Sequence, residues 1–312
     1  MFLKPILLTS TGTVTVSSVG EGELLDDVTV AGTFSGELDV SGVSLTSSGG
    51  TDGFVLHVER GTGLVHWAYQ LGGPGDQEIT AALHGPGGST YAVGSFQGET
   101  WFAEQTTPSN GRDGMILLLD NDGLEIKSRV IGGPDRQVVS AMALDPLGGL
   151  FIAGARASES QAGGQIDFGD GMLLEGSGLV DTFVAKIDAG FDYPWITFIP
   201  GAAGTGEVIP RAIAYDCAGQ LTVVGQSTSS PALAAIGAEH GKYDAFACKI
   251  EGGNVLWGHI FGGPEDDQAT GVVPLGGDAI LVGGSFAGAG TFGATELTSA
   301  GADDTFLLTL KP

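Results

Sequence analysis

The sequence predicts an all-β protein in which one four-stranded unit recurs five times. Three observations lead there: motifs that return about every 60 residues, four short apolar runs within each period, and an unusual abundance of glycine. Glycine supplies 55 of the 312 residues, against a usual share of about 7%, and it lacks the G-X-Y period of collagen. Hydrophobic residues make up 42% of the chain and charged residues 16%, which excludes a charged disordered polymer. A chain of 312 residues could hold two domains, but repeat folds of this length commonly form one.

Three motif series keep the period. The first is apolar-small-Gly, ending at Gly32, Gly94, Gly154, Gly225 and Gly284. The second is Asp-x-apolar: Asp52/Phe54, Asp113/Met115, Asp181/Phe183, Asp244/Phe246 and Asp304/Phe306. The third is a Gly-Gly-Pro run: Gly72-Gly73-Pro74-Gly75-Asp76-Gln77, Gly132-Gly133-Pro134-Asp135-Arg136-Gln137 and Gly262-Gly263-Pro264-Glu265-Asp266-Asp267-Gln268, with a weaker copy at 201–207.

In the second unit the apolar runs are 79–83, 90–96, 115–119 and 124–131. None has the ten or more residues at 3.6 periodicity of a globular helix, and clusters of turn residues separate them. Four antiparallel strands per unit and five units predict a five-bladed β-propeller. The approximate blades are 11–71, 77–132, 137–201, 207–262, and 268–312 completed by 1–9. The alanine-rich run after each Gly-Gly-Pro motif reads as the first, innermost strand. The Val-Ala-Gly run is second, the Asp-x-Phe run third, and the run bearing Trp67, Trp195 or Trp257 fourth. Spacing makes 2–8 an unaccompanied fourth strand, so the N-terminal strand is expected to close the last blade against 305–310.

Two units carry a family resemblance. Gly284-Ser285-Phe286-Ala287-Gly288, Phe292-Gly293, Leu297-Thr298-Ser299 and Asp304-Thr305-Phe306 resemble the SBBP-type bacterial β-propeller repeat, as do Gly32-Thr33-Phe34-Ser35-Gly36, Leu45-Thr46-Ser47 and Asp52-Gly53-Phe54. The resemblance covers essentially the whole chain. It implies a secreted or surface propeller of the kind found in myxobacterial lipoproteins, and it assigns no activity. The chain departs from the pattern at 158–170, an insertion, and at 228–239, where the Phe-Gly pair is lost.

The charge balance narrows the partners. Twelve Lys and Arg against 37 Asp and Glu give a net charge of −25, a surface that repels nucleic-acid phosphates and anionic membranes. No run approaches the ~20 apolar residues of a membrane helix. The segment 1–8 is too short and interrupted for a signal peptide's apolar stretch, so the chain either stays inside the cell or follows a removed leader. The resemblance favours an extracellular or outer-surface location and a monomer. Cys217 and Cys248 read as two free, buried thiols on strands that are not neighbours.

No nucleophile elbow, zinc-protease helix or phosphate loop is present. The string 288–293 matches a dinucleotide fingerprint but has no strand-turn-helix around it, and 120–123 reads as a tight turn. The five histidines show no metal-ligand spacing; His240 is placed in a rim loop.

Two groups of site candidates remain. One is the set of residues between fourth and first strands: Asp76, Asp135, Glu207 and Asp267, with Gln77, Gln137 and Gln268 beside them. If the blades bring them to one channel mouth, four carboxylates could hold a divalent cation such as calcium; alternatively each accepts its own loop's amides. The other is Trp101, which has no counterpart in the other units and is expected to face solvent beside a buried Phe102. The leading expectation is a non-enzymatic recognition or scaffold module that binds a protein or a glycan and needs no cofactor. The alternatives are a five-bladed glycoside hydrolase with funnel carboxylates, or a purely structural surface domain.

Overall fold

The computed structural model describes residues 6–21, 27–102, 105–158, 164–235 and 237–311. They form two compact units, Met1–Val139 with Ile166–Leu173, and Ser140–Gln165 with Leu174–Pro312. Among the described residues the only helical elements are two three-residue 3₁₀ turns, and no helix is long and apolar enough to cross a membrane.

Four sheets have four antiparallel strands in chain order, as the motif series implied. The first comprises Val14–Glu21, Asp27–Phe34, Asp52–Glu59 and Val65–Leu71; the second, Asp76–His84, Thr90–Phe102, Gln105–Leu119 and Glu125–Ile131. The third is built from Arg136–Leu144, Leu150–Ala157, Val180–Ile187 and Trp195–Ile199, and the fourth from Val208–Tyr215, Leu221–Ser227, Asp244–Glu251 and Asn254–Phe261. The fifth has three described strands, Gln268–Gly276, Ala279–Phe292 and Thr295–Leu310.

The recurrent glycine has a steric cause. Four of the five first strands carry a bulge, seen as register shifts at Val16/Ser18, Ile79/Ala81, Pro210/Ala212 and Ala269/Gly271, and there a carbonyl comes close against the second strand. A Cβ on Gly32, Gly94, Gly225 or Gly284 would lie about 2 Å from the carbonyl oxygen of Thr15, Glu78, Ile209 or Gln268. Only glycine admits that approach. The recurrent Phe or Met two residues after the repeated Asp is buried in the same sheet: Phe54, Met115, Phe183, Phe246 and Phe306.

The segments between second and third strands vary. In the first unit Glu37–Val40 and Val43–Thr46 form a separate hairpin, and in the second and fifth sheets the two strands simply run on into a long one. The insertion at 158–170 contributes to a small hairpin, Gln165–Asp167 with Leu173–Glu175.

The expected closure by 2–8 is corrected. Residues 1–5 lie outside the described residues, but Leu8–Ser10 pairs with the first unit's hairpin, Leu8 opposite Val40 and Ser10 opposite Leu38. Ile6 and Leu8 pack against the cluster of Val30, Phe34, Leu38 and Val40. Thr295–Leu310 pairs with Ala279–Phe292 alone among the described residues. Leu8-Thr9-Ser10 also repeats the residues Leu45-Thr46-Ser47, of which Leu45 and Thr46 lie on the other outer strand of that hairpin. The cysteine expectation is half corrected: both thiols are free, but Cys217 is exposed in a turn, while burial pushes the Cys248 thiol up to about 12.

Candidate functional site

The repeated aspartate at the start of each third strand caps its own loop. Asp52 Oδ2 accepts from Ser48 N at 3.0 Å, Asp113 Oδ2 from Asn110 N at 3.3 Å, Asp244 Oδ2 from His240 N at 2.7 Å and Asp304 Oδ2 from Ala300 N at 2.6 Å. Asp181 takes the amides of Ser177, Gly178 and Gly201 and the guanidinium of Arg156. The motif is therefore an architectural cap, with the carboxylate buried at Asp52, Asp113, Asp181 and Asp244 and partly buried at Asp304. Burial pushes the Asp113 carboxyl up to about 6, against the opposing pull of the Asn110 amide.

Of the carboxylates expected at one channel mouth, Asp76 and Glu207 share a ladder position and Asp267 does not. Ile79 pairs with Gly94 and Ala269 with Gly284, which puts Asp266, not Asp267, at the position of Asp76. Pro210 pairs with Gly225, so Glu207 does share that position. Asp267 instead takes the buried place of Gln77, and Gln268 that of the partly exposed Glu78, so the last Gly-Gly-Pro run carries an acid where the first carries an amide. Asp76 accepts from Thr51 N at 3.0 Å, and Glu207 accepts from the Tyr243 hydroxyl. Burial and that neighbouring carboxylate push Tyr243 up to about 12. Asp135 is half-buried, and Gln77 and Gln137 are fully buried. Among the described residues no group of three or more His, Cys, Asp or Glu stands at metal-holding distance.

Trp101 lies where the alternation of the strand puts it. It is 49% exposed and Phe102 4%. Trp101 pairs with Thr106 and Glu99 with Pro108, so these four share one solvent-facing side of the hairpin, and all are exposed. Phe102 turns inward, edge-on to Phe96 at 5.4 Å.

Two features were not legible in the sequence. In the first unit, His66, His84 and Trp67 gather around His57: it stacks on the indole at 5.5 Å, and its centroid lies 5.5 Å from His66 and 5.8 Å from His84. Asp27 is buried between two of them, with Oδ2 3.3 Å from His57 Nε2 and Oδ1 3.5 Å from His66 Nε2. The fourth sheet pairs Lys249 with Trp257 just as the first pairs His57 with Trp67, and there the ammonium meets Asp216 at 2.8 Å. Burial works against the Asp216 charge, but Lys249 and the amides of Gln220 and Ala218 outweigh it and hold the carboxyl below its ordinary range. Chain spacing could not show the histidine cluster, because its members come from different strands and meet only through register.

The second feature is a cleft of about 370 Å³ in the second unit. Its walls include His240, Gly262, Pro264, Gly290, Glu296 and Thr298. The fingerprint-like string 288–293 lies, up to Phe292, on the strand Ala279–Phe292, and its residues 289–291 supply part of this wall. His240 is there as the sequence placed it, in a loop, and its amide is tied to Asp244.

No protein-family model matches the chain, and no curated protein does. Among solved structures, a neuraminidase-like protein of subtype N10 from A/little yellow-shouldered bat/Guatemala aligns over 91% of this chain and 95% of its own, at 10% identity and a TM-score of 0.40. One of subtype N11 from A/flat-faced bat/Peru covers 98% and 94%, at 9% identity and a TM-score of 0.39. The Dos1 propeller covers 98% and 95%, at 10% identity and a TM-score of 0.28. Superpositions this loose transfer neither fold nor function; the architecture of this chain rests on its own strand pairings.

Proposed function

We propose that this chain is a non-enzymatic recognition module whose five sheets are the blades of a β-propeller of the SBBP type, working at a bacterial surface and binding a glycan or a protein. The strand order repeated from unit to unit and the motif series support the propeller reading. The observation that carries recognition is Trp101. An indole half open to solvent, on a regular strand and flanked by the Glu99 carboxylate, the Thr106 hydroxyl and the Pro108 ring, offers a flat apolar face with hydrogen-bonding groups at its edge. That combination suits stacking against the C–H face of a sugar or against a partner's side chain. The hydrolase reading draws less support, because the repeated aspartates are engaged as loop caps and follow the fold.

The test is a glycan array and a pull-down with the full chain and with Trp101→Ala. A ligand retained by the wild-type chain and lost from the variant supports the reading. A ligand held equally by both, or a chain that turns over a glycoside, overturns it.

A further inference from the structure

The junction of the fourth and fifth sheets differs from that of the first and second by a second buried carboxylate. In the first sheet, Gln70 stands opposite Phe54 and donates from Nε2 to Asp52 Oδ2 at 2.6 Å, and the next strand brings the amide of Gln77 nearby. In the fourth sheet Phe246 is opposite Ile260, so among the described residues no side chain donates to Asp244, and Asp267 stands at the ladder place of Gln77. Two amides are replaced by an alkyl group and a second carboxylate.

Both acids are buried, Asp244 0% and Asp267 1% exposed. Asp267 Oδ2 accepts from Gly263 N at 2.6 Å and Oδ1 from Ala287 N at 3.2 Å. Asp244 Oδ1 has no hydrogen-bond partner. The two side chains converge behind Gly262: a Cβ there would sit 2.4 Å from Asp267 Oδ2 and 2.9 Å from Asp244 Oδ1. Gly262 and Gly263 form part of the cleft wall, as does His240, which is hydrogen-bonded to Asp244. Two like charges in a poorly solvated pocket repel, and a positive charge between them relieves the repulsion. Burial first and then, at Asp267, the Asp244 charge hold both carboxyls above their ordinary range.

We propose that Asp244 Oδ1 and Asp267 Oδ2 bind one hard divalent cation of the calcium class behind Gly262, reached from the cleft. The two donors are carboxylate oxygens, and His240 meets Asp244 through its backbone amide; such hard oxygen donors select calcium-like ions over zinc or copper. The inference does not depend on Trp101, which lies in the other unit.

The experiment is thermal unfolding of the full chain after chelation, titrated with CaCl₂ and in parallel with MgCl₂. The comparison variant is Asp267→Gln, which restores the amide found at Gln77. For the wild-type chain the Tm is expected to rise saturably by several degrees once calcium reaches ~100 times its Kd, with a smaller rise for magnesium. For the metal-free variant it is expected to match or exceed the wild-type Tm and to ignore calcium. Should the variant fail to fold, equilibrium dialysis of the wild-type chain with calcium decides: saturation at one ion per chain supports the site, and none overturns it. No calcium response in the wild-type chain, or an equal response in the variant, overturns it too; the former shows that a shared proton neutralises the pair.

Discussion

The third and fourth sheets hold the same aspartate in opposite company. Asp181 receives three amides, and the wholly buried Arg156 donates to it from Nε at 3.1 Å and from Nη2. Asp244 receives two amides, has no lysine or arginine paired with it among the described residues, and faces a second acid. The loop cap is common to both copies, because it follows from the turn that the aspartate closes. What neutralises the buried charge is local, and there the copies have diverged. The comparison separates what the repeat requires from what one unit has added.

The largest effect should come from stripping Asp181 of its partner. Arg156→Met leaves a buried carboxylate facing no cation and should destabilise the chain by about 3–5 kcal/mol. Adding Asp181→Asn should recover part of that loss in denaturant unfolding. A single variant no worse than a surface substitution would show that the three amides suffice by themselves.

Next in size is the amide that the first sheet has and the fourth lacks. Gln70→Leu takes the side-chain donor from Asp52 and should cost about 1–3 kcal/mol, whereas Ile260→Gln, offering that donor to Asp244, should be neutral or stabilising. Two losses of equal size would mean that Ile260 matters only for packing.

The pH dependence sharpens the comparison further. Asp113, Asp244 and Asp267 have folded-state pKa values raised above those of the unfolded chain, so the folded state binds their protons more tightly. Their contribution is present below the ordinary carboxylate range and is lost as pH rises, for Asp113 through about 6. Asp216 and Asp145 are held low, chiefly by amides and a lysine working against burial, so their contribution is present above the ordinary range and lost as acid titrates them. Metal-free Tm should therefore fall between pH 5 and 8, and Asp113→Asn should flatten that slope. A Tm that is level from pH 5 to 8 would refute it.

The smallest effect on stability belongs to Trp101→Ala. An exposed side chain on a hairpin face should shift unfolding by no more than about 0.5 kcal/mol, while binding is lost. A large destabilisation would show that the indole covers the sheet instead of presenting itself to a ligand.

The sequence by itself determined the repeat, the strand order within each unit, the glycine at each close approach, and the inward Phe102 beside the outward Trp101. These follow from local chemistry: period-2 alternation, turn residues, and a carbonyl pressed against a Cα each leave a mark at fixed spacing. Tertiary structure alone decided where Leu8–Ser10 pairs, because a three-residue strand takes whichever free edge and apolar neighbours reach it. It alone brought His57, His66, His84 and Asp27 together across strands distant in the chain. It also set Asp267 against Asp244, which come from different sheets and converge only behind Gly262.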